Sequence, residues 1–228
     1  MALALIERYR SAADLPQRLP MFPLRGAILL PRATLPLNVF EPRYLAMLDD
    51  VLAGGRVLGV IQPSGEATRE ESPAGQSADL KQVGCAGRVT AYQELDDGRL
   101  MITLTGLCRF DIWSEEASSA PYRVMQVTYD RFVKDLAPGL GEDQIDRPGL
   151  LRVLKLYLDE KRLNTDWSAI QRAPSEFLVN TLSIISPYGA EEKQALLEAS
   201  DLKTRAEVLV ALAEMELATH GGSGGTLQ

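Results

Sequence analysis

The sequence predicts an α+β fold, with a sheet-rich first half followed by a run of helices. Three observations lead there. Up to Asp130, apolar residues alternate or cluster in short runs bounded by turn residues, as in strands. Beyond Pro148 they recur at helical spacing. Between the two lies a stretch rich in Gly, Pro and Asp. Strands that precede helices, rather than alternating with them, indicate an α+β chain or two subdomains. The expected layout is an N-terminal extension (1–18), a β domain (19–130), a connector (131–147), a helical bundle (148–218) and a flexible, Gly-rich tail (219–228).

The stretch "LPMFPLRGAILLPRATLPLNVFEPRYLAML", Leu19 to Leu48, combines apolar strand-like residues with five prolines. Ala27–Leu30 reads as a short apolar strand ended by Pro31. Leu35, Leu37 and Val39 alternate with Pro36 and Asn38, which gives one apolar face. Proline has no N–H for a ladder, so this segment belongs at an edge, where proline also discourages unwanted pairing. Pro42 suits the first turn of a helix that carries Tyr44, Met47, Leu48, Val51 and Leu52, and Gly54-Gly55 ends it. Val57–Ile61 reads as a buried strand, and Gln62–Asp79 as a long polar loop. Val83–Gln93 and Arg99–Ile112 form a hairpin around "DDG" at Asp96–Gly98, where the turn needs positive φ. Tyr122–Tyr129 alternates again. In the second half, Leu150, Leu151, Leu154, Tyr157 and Leu158 share a helical face. Pro174 opens a second helix through Phe177, Leu178 and Leu182, and Ala190–Ala199 is a third. Asp201 caps a fourth that carries Val208, Leu209, Leu212 and Met215.

The chain has 228 residues, 46% hydrophobic and 24% charged, with formal charge −7. No apolar run approaches the roughly 18 residues of a membrane helix. The start "MALALIERYR" meets Glu7 too soon for a secretory signal, so a cytoplasmic protein is expected. The acidic balance counts against nucleic acid, because phosphate neutralisation supplies most non-specific affinity. Cys85 and Cys108 read as small buried apolar residues. The one histidine, His220, adjoins the tail and is poorly placed as a catalytic base. No Gly-Lys pair occurs, which excludes the standard P-loop. Ser183 and Ser186 lie near Lys193 in sequence, but a helix end with a Ser/Pro/Gly turn explains "NTLSIISPYG" better than a Ser–Lys dyad. No catalytic residue, metal ligand or cofactor is expected.

The opening stretch resembles the start of the N-terminal domain of Lon proteases. The matching positions are Leu19, Pro20, Pro23, Leu24, Arg25, Pro31, Pro36, Leu37 and Arg43. "VGCAGRVTAYQELDDGRLMITLTGLCRFDI" is similar to that family's hairpin, and "EEKQALLEASDLKTRAEVL" to its later helices. The resemblance covers about Leu19 to Leu217. It implies a PUA-like β pseudobarrel with one helix, then a C-terminal helical bundle. It also implies a non-catalytic module that binds protein or peptide, resembling the Lon substrate-recognition domain and acting as an adaptor in protein quality control or proteolysis. A full Lon protease continues into an AAA+ ATPase and a Ser–Lys protease domain, which this chain is expected to lack, as a free-standing bacterial version of the domain.

The expected partners are unfolded or extended polypeptide, with a protease or chaperone in the wider assembly, and no membrane. Phe22, Pro36, Asn38 and Phe40 are the candidate peptide-binding residues, because proline-guarded apolar edges suit extended peptide. Taken singly, Phe22 also reads as core, and Phe40 as a staple onto Leu45. The alternative function is an RNA-binding PUA-like module, which a continuous basic groove would favour.

Overall fold

The structure is a computed structural model, and it describes residues 8–65, 79–160 and 166–221. The start of the N-terminal extension, most of the polar loop expected at Gln62–Asp79, and the tail from 222 lie outside the described residues.

Strands β1 (Arg18–Pro23), β2 (Thr34–Val39), β3 (Val57–Pro63), β4 (Leu80–Glu94), β5 (Leu100–Glu116) and β6 (Val124–Thr128) form one sheet in the order β2-β5-β4-β3-β1-β6. The sheet closes because β6 also pairs with β5. The length of β5 allows this. Its first part pairs with β2, from Thr34↔Thr105 to Val39↔Leu100, and its last part pairs with β6. A ring of β1, β3, β4, β5 and β6 results, with β2 laid along one side of β5. Only β1 and β3 run parallel, and their crossover contains β2 and helix α1 (Pro42–Ala53).

Glycines make room for the barrel interior. A Cβ on Gly84 would lie 2.5 Å from the Phe110 ring, and one on Gly59 would lie 2.6 Å from Met21 Sδ. Phe110 and Met21 are both fully buried. The expected hairpin is present as β4 and β5, with Gly98 at φ +80° in its turn. The expected first helix is α1, which buries Tyr44, Met47, Leu48 and Val51.

Ala27–Leu30 is not a strand. Ile28, Leu29 and Leu30 are fully buried, but they cross the barrel wall where it lacks side chains. Leu29 lies against Gly87, and the Leu30 carbonyl against Gly106. The run is apolar because protein surrounds it, not because it pairs in the sheet. Its first-strand role belongs to β1, where Pro20 and Pro23 obscure the pattern. In β6, Val124 and Met125 are both buried, so strict alternation fails there.

The second half contains α2 (Arg147–Glu160), α3 (Trp167–Arg172), α4 (Ser175–Ile185), α5 (Ala190–Glu198) and α6 (Leu202–Gly221). The short α3 has no expected counterpart. Asp201 caps α6, its Oδ1 accepting the Thr204 N–H at 2.8 Å. Phe177 and Met215, named among the apolar residues of the second and fourth expected helices, are 55% and 67% exposed. The stretch 131–147 is ordered into 3₁₀ turns at Asp130–Leu136 and Glu142–Gln144, and Phe132 and Asp135 are buried there.

One hydrophobic core runs from barrel residues such as Cys108 and Phe110 to Leu150, Val179, Leu196 and Leu209 of the bundle. Buried polar groups join the same two units. Gln62 accepts the Gly26 N–H at 2.8 Å and donates to the Ala190 carbonyl at 2.8 Å and to Gln194 at 3.0 Å. Arg32, at φ +62°, donates to Glu176 and to the Asp135 carbonyl. Arg205 donates to the Leu196 carbonyl and to Asn180, which in turn donates to the Pro31 carbonyl.

Candidate functional site

β2 sits at the end of the strand order, and its alternation sets which side chains face out. Leu35 and Val39 are buried and Leu37 is partly buried, while Thr34, Pro36 and Asn38 are exposed. Directly across the ladder, Pro36 faces Thr103 and Asn38 faces Met101. One strand further, Gln93 pairs with Met101. Met101 is 48% exposed, and Phe40, one residue past the strand, is 59% exposed. The outer face of β2, β5 and β4 therefore presents Thr34, Pro36, Asn38, Met101, Thr103 and Gln93, with Phe40 beside it. None of these carries a charge.

Of the four residues selected from the sequence, Pro36, Asn38 and Phe40 belong to this strip. Phe22 does not. It is 3% exposed, and its ring centroid lies 4.6 Å from that of Tyr44. Its strand is central, between β3 and β6, and α1 places Tyr44 on it. Met101 was missed by sequence reasoning. The signal was present in "LMITLT" (Leu100–Thr105), whose alternation puts Met101 and Thr103 opposite in facing to Leu100, Ile102 and Leu104. Which strand would lie beside it was not readable.

Two arginines at the margins of this face are engaged. Arg99 Nε donates to Asp97 at 2.7 Å, and Arg43 lies 3.5 Å from Glu41 with its guanidinium over Tyr44. Arg99 holds the Asp97 carboxyl below its ordinary range through backbone and side-chain hydrogen bonds.

The serines and lysine of the dismissed dyad are turned to other tasks. Lys193 is buried and donates to the carbonyl of Ile184 at the C-terminal end of α4, where a cation satisfies an orphan acceptor. Burial pulls its ammonium down to about 8. Ser183 Oγ donates to the Val179 carbonyl at 2.7 Å. Ser186 lies beside Tyr188, whose phenol burial pushes up to about 12. Cys85 and Cys108 are free and buried, and desolvation pushes both thiols up, away from reactive thiolate. Among the described residues, no group of three or more His, Cys, Asp or Glu is placed to hold a metal ion. No described helix is long and apolar enough to cross a membrane.

Comparison with known proteins places these features in a family. Residues 18–214 match the model of the ATP-dependent protease La (LON) substrate-binding domain. The chain is 26% identical over 209 residues to the Lon protease of Flavobacterium johnsoniae, covering 90% of this chain and 25% of that one. It is 28% identical over 205 residues to Lon protease 2 of Myxococcus xanthus, covering 87% of this chain and 24% of that one. It thus spans about a quarter of the length of these curated relatives. Among solved structures, a Lon N-terminal domain protein from Xanthomonas campestris aligns with TM-score 0.57 at 23% identity, over 85% of this chain and 97% of that one. The N-terminal domain of a Mycobacterium avium complex Lon protease aligns with TM-score 0.60 at 14% identity, over 86% of this chain and 98% of that one. These two likenesses establish the fold.

Proposed function

The chain belongs to the family of Lon substrate-binding domains, and from that premise we propose that it is a non-catalytic module for unfolded or extended polypeptide. It would serve as a cytoplasmic adaptor that presents such chains to a protease or chaperone. The observation that carries this reading is the uncharged outer strip of Pro36, Asn38, Phe40 and Met101, set on a strand with one open edge. An extended chain loses ordering entropy on binding, so affinity should be on the order of micromolar or weaker. Contact through uncharged groups should depend little on salt, unlike phosphate binding.

The test is fluorescence anisotropy with a labelled unfolded peptide, at low and high salt, against single-stranded RNA. Phe40→Ala should weaken peptide binding severalfold while circular dichroism stays unchanged. Tighter binding of RNA, abolished by salt, would replace this reading with the nucleic-acid one. No labelled-casein cleavage or ATP hydrolysis is expected from the purified chain. Turnover lost in Ser186→Ala would show that a Ser–Lys pair is at work.

A further inference from the structure

The open edge of β2 has a defined hydrogen-bonding phase. The Gly106 N–H donates to the Ala33 carbonyl at 2.9 Å, immediately before the Thr34↔Thr105 pair. Hydrogen-bonded and non-bonded pairs alternate along an antiparallel ladder. Counting on from Ala33, the residues that spend their backbone groups on β5 are Leu35, Leu37 and Val39. The N–H and C=O groups of Thr34 and Asn38, and the C=O of Pro36, therefore point to the open side. This phase also explains why Pro36 is tolerated, since its missing N–H costs the β5 ladder nothing.

Edges of this kind are blunted by charge, by brevity or by proline. β2 reads "TLPLNV": it carries no charge, and Pro36 withdraws one outward N–H while leaving the outward groups of Thr34 and Asn38 in place. We infer that β2 takes up an extended, uncharged polypeptide segment as an added antiparallel strand, paired to the backbone of Thr34, Pro36 and Asn38. This rests on the polypeptide-binding reading and gives it a mode. Recognition runs through main-chain bonds that any sequence offers, while the uncharged strip of Asn38, Phe40 and Met101 selects against charged side chains.

Pro36 decides between a foreign strand and a second copy of this chain. If two β2 strands paired about a twofold axis at Pro36, each proline would face the other, and both central N–H donors would be missing. A foreign strand brings its own central N–H to the Pro36 carbonyl and loses only one bond. The proline thus disfavours self-pairing more than substrate pairing.

The test uses the whole chain and a labelled, uncharged peptide of alternating valine and serine. Alternation fixes the register, because a slip of one residue exchanges the two faces. Two further peptides carry N-methyl groups, one on every valine and the other on every serine. Only alternate N–H groups of an added strand face β2, so one methylated peptide should bind at least tenfold more weakly and the other like the parent. Asn38→Pro, which removes an outward N–H and no ladder bond, should weaken the parent peptide about tenfold. Pro36→Ala should tighten it severalfold and produce concentration-dependent dimers in sedimentation velocity. Equal behaviour of the two methylated peptides overturns strand addition, while parent binding that still depends on Phe40 keeps the broader reading. No binding of the parent peptide overturns both. A wild-type chain that dimerises while binding no peptide makes the second copy the occupant and overturns the proposal.

Discussion

Arg109 on β5 and Asp135 in the turn after β6 form a two-pronged ion pair, Nη2 to Oδ1 at 2.8 Å and Nε to Oδ2 at 2.8 Å, with side chains 3% and 9% exposed. Asp135 also accepts the Arg109 backbone N–H at 3.0 Å. The other Arg109 nitrogen, Nη1, donates to the carbonyls of Leu197 and Ala199 where α5 ends. One side chain therefore ties the barrel wall, the post-barrel turn and the bundle together.

Removing the carboxylate strands a buried guanidinium. Asp135→Ala should lower stability by about 3–5 kcal/mol, read from urea unfolding. Because Arg109 belongs to both units, unfolding of the wild type should give coincident transitions by far-ultraviolet circular dichroism and tryptophan fluorescence. Separate transitions would show that the polar bridge does not couple barrel and bundle.

Phe22 and Phe40 should part company under truncation. Phe22→Ala empties a core site against Tyr44 and should cost about 3–5 kcal/mol. Phe40→Ala, at an exposed site, should change stability by less than about 0.5 kcal/mol. Comparable losses in thermal or urea melts would contradict the placement of Phe40 on an open surface.

Gly106 is a point of backbone contact. A Cβ there would lie 2.0 Å from the Leu30 carbonyl oxygen, so Gly106→Ala must push the buried 27–31 segment off β5. The expected loss is about 3 kcal/mol. Gly55→Ala, where a Cβ would meet nothing within 4 Å, serves as control in the same urea titration.

Lys193 predicts a rise in stability with pH. Its folded-state value is lowered from 10.5 to about 8 by burial, so between those values the unfolded chain holds the extra proton. The Lys193 contribution to stability then increases as pH rises from about 8 towards 10.5, while the buried Cys85 and Cys108 thiols, raised by desolvation, contribute a fall over the same range. The change in urea midpoint from pH 8 to pH 10 should therefore be more positive in wild type than in Lys193→Met, because the cysteine contribution is common to both. Equal slopes would mean that Lys193 titrates as a solvated lysine.

Much of this molecule is legible locally. The period-two pattern of Leu35, Leu37 and Val39 specifies an edge strand, because side chains on an extended chain alternate by covalent geometry. Pro42, the spacing of Tyr44 to Val51 and Gly54 specify α1, and Asp201 specifies the start of α6, for similarly local reasons. The uncharged, proline-bearing strip at Pro36–Phe40 could be selected from these signals alone.

The sequence by itself thus determined the succession of a sheet-rich half and a helical half, the edge character of β2 and the family pattern. Tertiary structure alone decided what lies beside what. It buried Phe22, kept Ala27–Leu30 out of the sheet, set Met101 beside Asn38, and turned Arg109, Asn180 and Gln62 inward as bonds between barrel and bundle. Periodicity records only whether a side chain meets apolar surroundings. It does not record which distant segment supplies them, and a buried arginine looks like a surface one until its carbonyl and carboxylate partners arrive from elsewhere in the chain.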